Sequence, residues 1–474
     1  MYSRDQKYIY ILIIVGISNF FCAPLYAPYA SLSKVDPFPT YSTLDPYYFL
    51  QFGERLSYRH EPWADEKYER VSITFSGYLQ NADRGKSVRG EQTFDPLTDT
   101  NTITELGDLT GRTSMIALLY GPLPAGATWT PTLTEARREL FGVTDPNFVI
   151  NRGNDIDPKQ LFGYFSFPLK YRKRGFAFDF QAGWADVGIA LKGRFSNIQQ
   201  TPRDFVDLTT EENINNIPQH DENVTFATVE KFLMDQFPLI MQQLPRDVGE
   251  FIKSSFEDLE VSVFWRHAFN CNPKESSEWP NLYIIPFIEA FGVFSPSHER
   301  DYRKQFGIGF GNNRHNAFGV HAGINLDFVE TISVGFDGGV THFTERDFEN
   351  VPVPTSKFQT TIFPFTTDVS IKPGLSTYLS AQMSAIHFID KLSCYLQYVI
   401  LEHKEDKITL KNEDPAFLPK FLEKVTSFKV KLMNVGFNYD LAPWLCVGLA
   451  VQLPFSQRNA YRSQTTVFSI NMTF

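Results

Sequence analysis

The chain has 474 residues, with 44 Lys and Arg against 54 Asp and Glu, a formal charge of −10. That charge argues against a nucleic-acid partner, because a phosphate-binding surface needs a basic excess. The length admits two or three soluble domains or one large barrel; 43% apolar residues with 15% aromatics, 45 of them Phe, favour a barrel that is apolar outside, polar within and banded by rings.

Residues 1–30 read as a secretory signal peptide, with a membrane anchor as the alternative. Arg4 and Lys7 precede an apolar run over residues 9–21, and Ala23, Ala27 and Ala30 offer small residues for cleavage. Removing this segment takes Cys22 and leaves Cys271, Cys394 and Cys446. An odd number does not close a disulfide framework, and the last two read as small apolar fillers of strands. No later stretch is long and apolar enough for a membrane helix, so any crossing of a membrane is by strands.

Residues 31–67 are rich in Pro, Tyr and Asp and read as an N-terminal extension or plug ahead of a barrel over 68–474. Val71, Ile73 and Phe75 alternate with Ser72, Thr74 and Ser76, which predicts the first strand. Residues 115–120 are a candidate second strand. Thr132-x-x-Glu135 followed by Ala136, Leu140 and Phe141 predicts a capping box and a short helix. Phe165, Phe167, Leu169 and Tyr171 share a face, residues 172–175 read as a tight turn, and Phe176, Phe178, Phe180, Ala182 and Trp184 return opposite Asp179 and Gln181. Val187, Ile189, Leu191 and Phe195 then lie opposite Lys192 and Arg194. Residues 197–257 interrupt the pattern with an insertion of helical character, where Val229, Phe232, Leu233 and Gln236 keep three-four spacing; it reads as a surface cap or a lid folded into the lumen.

The second half is more regular. Leu259, Val261, Val263 and Trp265 alternate with Glu260, Ser262 and Arg266, while residues 282–294 are apolar on both faces apart from Glu289. Phe318 to Phe328 alternates against His321, Asn325 and Asp327, and Ile332, Val334 and Phe336 against Ser333 and Asp337. Strands over 375–388 and 392–401 follow. Phe428, Val430 and Leu432 face away from Lys429 and Lys431, and a change of phase near Met433 predicts a bulge. Leu445, Val447, Leu449, Val451 and Leu453 mark one more strand. Connections at 329–330, 390–391 and 440–443 are tight, whereas 295–313, 345–371, 403–426 and 454–463 are long. In the last strand Phe468, Ile470, Met472 and Phe474 alternate with Ser469, Asn471 and Thr473.

This closing strand, ending on an aromatic of its greasy set, resembles the last strand of bacterial outer-membrane β-barrel proteins, and the rhythm of short turns and long loops is similar to theirs. The resemblance implies an all-β fold, a transmembrane antiparallel β-barrel of about 12 to 14 strands with a helical insertion. It places the chain in the outer membrane of a Gram-negative cell. The partners it implies are outer-membrane lipids, a barrel-assembly machinery that reads Phe468, Ile470, Met472 and Phe474, and small solutes.

Charges on strands whose other face is apolar are expected to turn inward, since Arg or Lys in mid-membrane costs roughly 2–4 kcal/mol. Asp179, Lys192, Arg194, Arg266, His321, Asp327, Asp337, Lys429 and Lys431 are therefore the candidate lumen-lining residues of a porin-like channel. Their alternative role is to pair with one another, or with a plug, as a closed wall. Lys192, Arg194 and Arg266 together predict a positive patch that favours anions. The rival functions are a non-conducting surface protein for attachment or shielding, and a hydrolase using His298, His315 or His342 beside a loop carboxylate. A soluble exported sandwich is the alternative fold. No cofactor is expected: the glycine run at 307–311 lacks a phosphate loop's setting, His403 has no second His at metalloprotease spacing, and no serine lies in a nucleophile elbow, so no enzyme is predicted.

Overall fold

The computed structural model describes residues 69–86, 103–108, 113–149, 164–184, 186–208, 235–244, 246–271, 282–328, 332–389, 391–442 and 444–474. The expected signal peptide, the 31–67 extension and residues 229–234 of the expected helix lie outside the described residues. Twelve long strands carry the fold: β1 (Glu69–Ala82), β2 (Leu169–Trp184), β3 (Val187–Pro202), β4 (Phe251–Arg266), β5 (Leu282–Phe294) and β6 (Ala317–Phe328). They continue with β7 (Ile332–Phe343), β8 (Ser376–Ile389), β9 (Leu392–His403), β10 (Phe428–Ala442), β11 (Leu445–Arg458) and β12 (Gln464–Thr473).

Each strand pairs antiparallel with the next, and β12 pairs with β1, Thr473 opposite Ser72 and Gln464 opposite Asn81. The ring is closed. Even the terminal residue takes part, its N–H donating to the Val71 carbonyl at 2.8 Å and its carbonyl accepting from the Val71 N–H at 3.1 Å. Lipid offers no partner to a bare backbone group, so a sheet spans it only when closed. The segment at Val71 thus belongs to the wall, which settles the expected 12 to 14 strands at twelve.

The side chains are sorted as a membrane requires. Phe75, Phe176, Val263, Phe336, Leu379, Leu449 and Phe468 are exposed, while Thr74, Gln181, Ser262, Asn325, Ser380, Gln452 and Ser469 are buried. A soluble protein has the opposite arrangement. Trp184, Trp265, Tyr439 and Trp444 stand exposed at the end where the short turns lie, as an interfacial girdle.

Connections at that end are residues 185–186, 329–331, 390–391 and 443–444, with 267–281 the long exception. At the other end run 83–168, 203–250, 295–316, 344–375 and 404–427, and a short 459–463, because β11 extends to Arg458 where a loop from 454 is expected. These loops fold together. Met115, Leu118, Leu133, Phe165, Phe237, Ile240, Phe306, Phe310, Phe348, Ile362 and Phe417 come from all five long loops and meet in one apolar core. Each such side chain stabilises the cap by about 1.5–3 kcal/mol relative to exposure.

Several local expectations are corrected within this cap. Residues 115–120 form a buried 3-10 turn (Ile116–Leu119) rather than a strand. The helix α1 (Pro131–Phe141) is capped by Thr130, whose Oγ1 accepts from Leu133 N at 3.4 Å, with Pro131 at its first position and Gly142 in the left-handed region at φ 63°. Its buried Arg137 donates to the carbonyls of Leu119 (2.6 Å) and Phe148 (2.5 Å) and lies over Trp129. The expected 197–257 insertion is shorter, since β3 runs to Pro202 and β4 starts at Phe251; its described helix is α2 (Phe237–Gln243).

Two further differences have one cause. Residues 172–175 are not a turn but continue β2, and Met433 is not a bulge. In β2 the inward side reads Leu169, Tyr171, Lys173, Ala177, Asp179, and the outward side Lys170, Arg172, Arg174, Phe176, Phe178, Phe180. In β10 the inward side reads Phe428, Val430, Leu432, Asn434, Asn438, and the outward side Lys429, Lys431, Met433, Val435, Phe437. Pairing parity does not change along these two stretches; the surroundings do. About 9–11 residues cross the hydrocarbon, and beyond that depth the outer face meets water while the inner face meets the apolar cap. The β10–β11 pair has two register shifts: the one nearest Met433 falls in β11, where Leu432 faces Pro454 and Lys431 faces Ser456, leaving Phe455 as the extra residue, and the other leaves Leu441 extra at the far end of β10.

This boundary is testable on β11. Leu449→Arg, at mid-belt, is expected to cost about 2–4 kcal/mol, whereas Ser456→Asp, outward beside Lys431 and above the belt, is expected to be near neutral. Urea unfolding in micelles measures both, and equal losses would refute the boundary.

Candidate functional site

The inward wall divides into two arcs. From β2 to β7 it carries Asp179, Lys192, Arg194, Glu257, Asp258, Glu260, Glu289, His321, Asp327 and Asp337, all inward, Glu257 and Asp258 both so because of a bulge, and mostly buried. From β8 round to β1 the inward positions at membrane depth are mainly neutral hydroxyls and amides, Ser380, Gln382, Gln397, Asn434, Asn438, Gln452, Thr465, Ser469, Asn471, Thr74 and Ser76, with Asp440 on β10, opposite Cys446, an acidic exception. These pair across strands, Asn434 Nδ2 donating to Gln397 Oε1 at 2.7 Å and Asn471 Nδ2 to Thr74 Oγ1 at 2.8 Å.

The charged arc is a mesh of ion pairs. Lys192 Nζ lies 2.9 Å from Glu260 and 3.7 Å from Glu289, whose other oxygen is 3.0 Å from His321 Nε2, so four adjacent strands are laced together. Nearer the cap, Glu257 takes Lys173 at 2.5 Å and Arg194 at 3.9 Å. The register slips there: Gly193 faces Leu259 and Phe195 faces Phe256, so Glu257 and Asp258 both turn inward opposite Arg194. A bulge re-aims a side chain in this way.

Of the nine sequence candidates, Asp179, Lys192, Arg194, Arg266, His321, Asp327 and Asp337 line the inner wall. Lys429 and Lys431 do not; they face outward, Lys429 pairing with Glu402 at 3.0 Å. The expected positive patch is also absent, since Glu257, Glu260 and Glu289 interleave with Lys192 and Arg194. Lys173, Glu257, Asp258, Glu260 and Glu289 are site residues that the sequence reading does not single out, although Glu260 shares the parity of Arg266 on one strand and Glu289 is the lone charge of its own.

Glycines shape the bore. Tyr78 faces Gly175, Phe264 faces Gly188, Phe287 faces Gly323, Phe291 faces Gly319, Tyr378 faces Gly339 and Tyr395 faces Gly436, each directly across neighbouring strands. A Cβ at any of these glycines would run into the opposing aromatic side chain, so these side chains lie along the wall rather than towards the axis. With ~4.8 Å between strands and a tilt near 40°, twelve strands close at a backbone radius of about 12 Å, wider than a barrel that its own side chains fill.

The glycine run at 307–311 brings a loop down onto this wall. Gly311, at φ 52°, abuts the Asp258 carboxylate, and Asn312 N donates to Asp258 Oδ2 at 2.7 Å. His298 N donates to Ser255 Oγ, and Gln305 N to the Asp247 carbonyl. The loop 295–316 is thereby pinned against the inner side of β4 and the segment after α2.

The outer face, the closed ladder and the polar interior together decide the class. The fold is that of an outer-membrane β-barrel. No family model matches the chain, and no curated protein does. Among solved structures, it is similar to an outer membrane channel from Pseudomonas putida F1, with 7% identity over 87% of this chain and 99% of that one at a TM-score of 0.44. A Pseudomonas aeruginosa FadL homologue gives 10% identity over 95% and 99% at 0.33, and the transport unit of the autotransporter AIDA-I from Escherichia coli 8% over 89% and 97% at 0.31. The assignment of the barrel stands on its own ladder and faces.

One arrangement looks catalytic. Ser376 Oγ is 2.7 Å from His403 Nδ1, and His403 Nε2 is 2.9 Å from Asp406 Oδ1. Yet all three are buried, Ser376 being 2% exposed, and Asp406 also accepts from Gly374 N and donates its own N–H to Thr426 Oγ1. A nucleophile must reach its substrate; this trio fastens three loop roots instead. His315, expected as a possible hydrolase residue, donates from Nδ1 to the Thr344 carbonyl (2.8 Å), while His342 faces outward against Phe318.

Two outcomes follow from these contacts. Lys192→Met strands Glu260 and Glu289 without their cation and is expected to cost about 3–5 kcal/mol, recovered largely when both acids become Gln; urea unfolding in micelles reads it. Burial holds the His315 imidazole down from 6.5 to about 4, against the pull of Asp406 and with the push of Arg346. The cap stability tied to neutral His315 is therefore full above about 6.5 and lost as pH falls towards 4, by up to about 3 kcal/mol. Proteolysis of the loops across this range measures it, and His315→Phe is expected to flatten the profile.

Proposed function

We propose that the barrel is a channel for small solutes whose mouth is held nearly shut by its own loops. The observation that carries this reading is the bore itself: aromatic rings laid flat over facing glycines keep bulk away from the axis of a twelve-strand ring. A barrel used only as a surface anchor gains nothing from that restraint. The apolar cap and the pinned loop 295–316 account for low flux, and the cap is equally the feature that favours the second reading, a non-conducting surface protein.

Selectivity follows the charges along the path rather than the net charge of the chain. Asp179, Glu257, Asp258, Glu260, Glu289, Asp327 and Asp337 outnumber Lys173, Lys192, Arg194 and Arg266 among the described inward residues. The solutes favoured are thus neutral or cationic. In planar bilayers the protein is expected to give small, infrequent current steps with a cation-selective reversal potential, and replacing residues 299–312 by a short Gly-Ser link is expected to raise conductance severalfold. Silence from both proteins, with correct folding, would overturn the channel in favour of the surface protein.

A further inference from the structure

The outward faces of the twelve strands are almost free of charge, and the exceptions are not scattered. Reading by pairing parity, β3 to β9 present no Lys or Arg outward among the described residues. The outward cations are Lys170, Arg172 and Arg174 on β2, Lys429 and Lys431 on β10, and Arg458 on β11. All six sit at the loop end. They occupy one arc, since β10, β11, β12, β1 and β2 are consecutive in the ring.

Their height is fixed by the strand beneath. On β2 the outward side runs Phe176 to Trp184 before the first cation, on β10 the apolar outward run begins at Met433, and on β11 it ends at Phe455. Each run is about the 9–11 residues that cross the hydrocarbon, so the cations begin where the acyl chains of the loop-side leaflet stop. Among the described residues, acidic side chains beside them are scarce. Glu402 pairs with Lys429 at 3.0 Å, and Glu250 sits over β3, accepting from Thr201 and Gln199. Lys429 lies directly opposite Arg458, two like charges facing each other across a strand pair, which is unfavourable unless an anion lies between them.

We propose that this arc is a docking surface for phosphorylated lipid headgroups of the loop-side leaflet. Arg offers a planar fork that grips two phosphate oxygens, Lys a point charge, and both stems lie along apolar wall. An anionic lipid seated here has its chains on Phe176, Phe437 and Phe468 and its phosphate between β10–β11 and β2.

The test uses the full chain refolded in neutral detergent, with folding checked by heat-modifiable gel mobility, and native mass spectrometry to count bound lipid. The probes are lipid A, phosphatidylcholine and inorganic phosphate. Wild type is expected to retain lipid A, to release phosphatidylcholine, and to keep lipid A in millimolar inorganic phosphate. At about fivefold per cation near an anionic surface, K170Q/R172Q/R174Q is expected to weaken lipid A binding on the order of a hundredfold. The charge-keeping K170R/R172K/R174K is expected to hold it within a few-fold. Unchanged affinity in the Gln variant, equal retention of phosphatidylcholine, or full displacement by inorganic phosphate would each overturn the proposal. So would a wild-type dimer that the Gln variant turns into a monomer, because the arc would then be a protein interface.

Discussion

A backbone group in hydrocarbon has no water to fall back on, and every other property of this molecule depends on how that demand is met. The ring closes between β1 and β12, with the last residue hydrogen-bonded to Val71 in both directions. Once closed, the ladder leaves each side chain two destinations, lipid or lumen, and a slip of one residue exchanges them for a whole strand. Two of the irregularities in the ladder have a visible use. The bulge at Glu257 and Asp258 brings two carboxylates onto Arg194 and the incoming loop, and the one at Phe455 falls where β11 leaves the belt.

Above the belt the wall changes its surroundings without changing its geometry. Leu169, Tyr171, Phe428, Val430 and Leu432 point inward as faithfully as Asp179 and Asn434, but they meet apolar neighbours rather than polar ones. The molecule thus has a conventional core stacked on an inverted one. The loops are held by burial, by the buried Arg137, and by the Ser376, His403 and Asp406 clamp at their roots.

This stacking decides what could be read from the residues alone. Period-two alternation identified the strands around Val71, Lys192, Leu259, His321, Asp337 and Leu449, and the inward side of seven candidate residues, because within the belt polarity and direction are equivalent. The equivalence fails above the belt, which is why the pattern alone points Lys429 and Lys431 inward and why residues 172–175 read as a turn. Glu257 and Asp258 were hidden by a bulge that only the partner strand reveals. The cap core was illegible for a different reason: Met115, Phe237, Phe348 and Phe417 are far apart in sequence and meet only once the barrel has brought their loop roots together. The positive patch failed because cross-strand neighbours, not residues along one strand, set local charge.

The pairing of each inward ring with a facing glycine also bears on how such a bore changes over generations. The wall chemistry and the clearance are encoded on different strands: Tyr378 supplies the ring, whereas Gly339 supplies the recess that holds it aside. A single methyl on the glycine would act as a lever, tipping a whole ring towards the axis while leaving the lining residues unaltered. Aperture and affinity are in this way separate hereditary variables, so a lineage can narrow the passage without rewriting what the passage recognises.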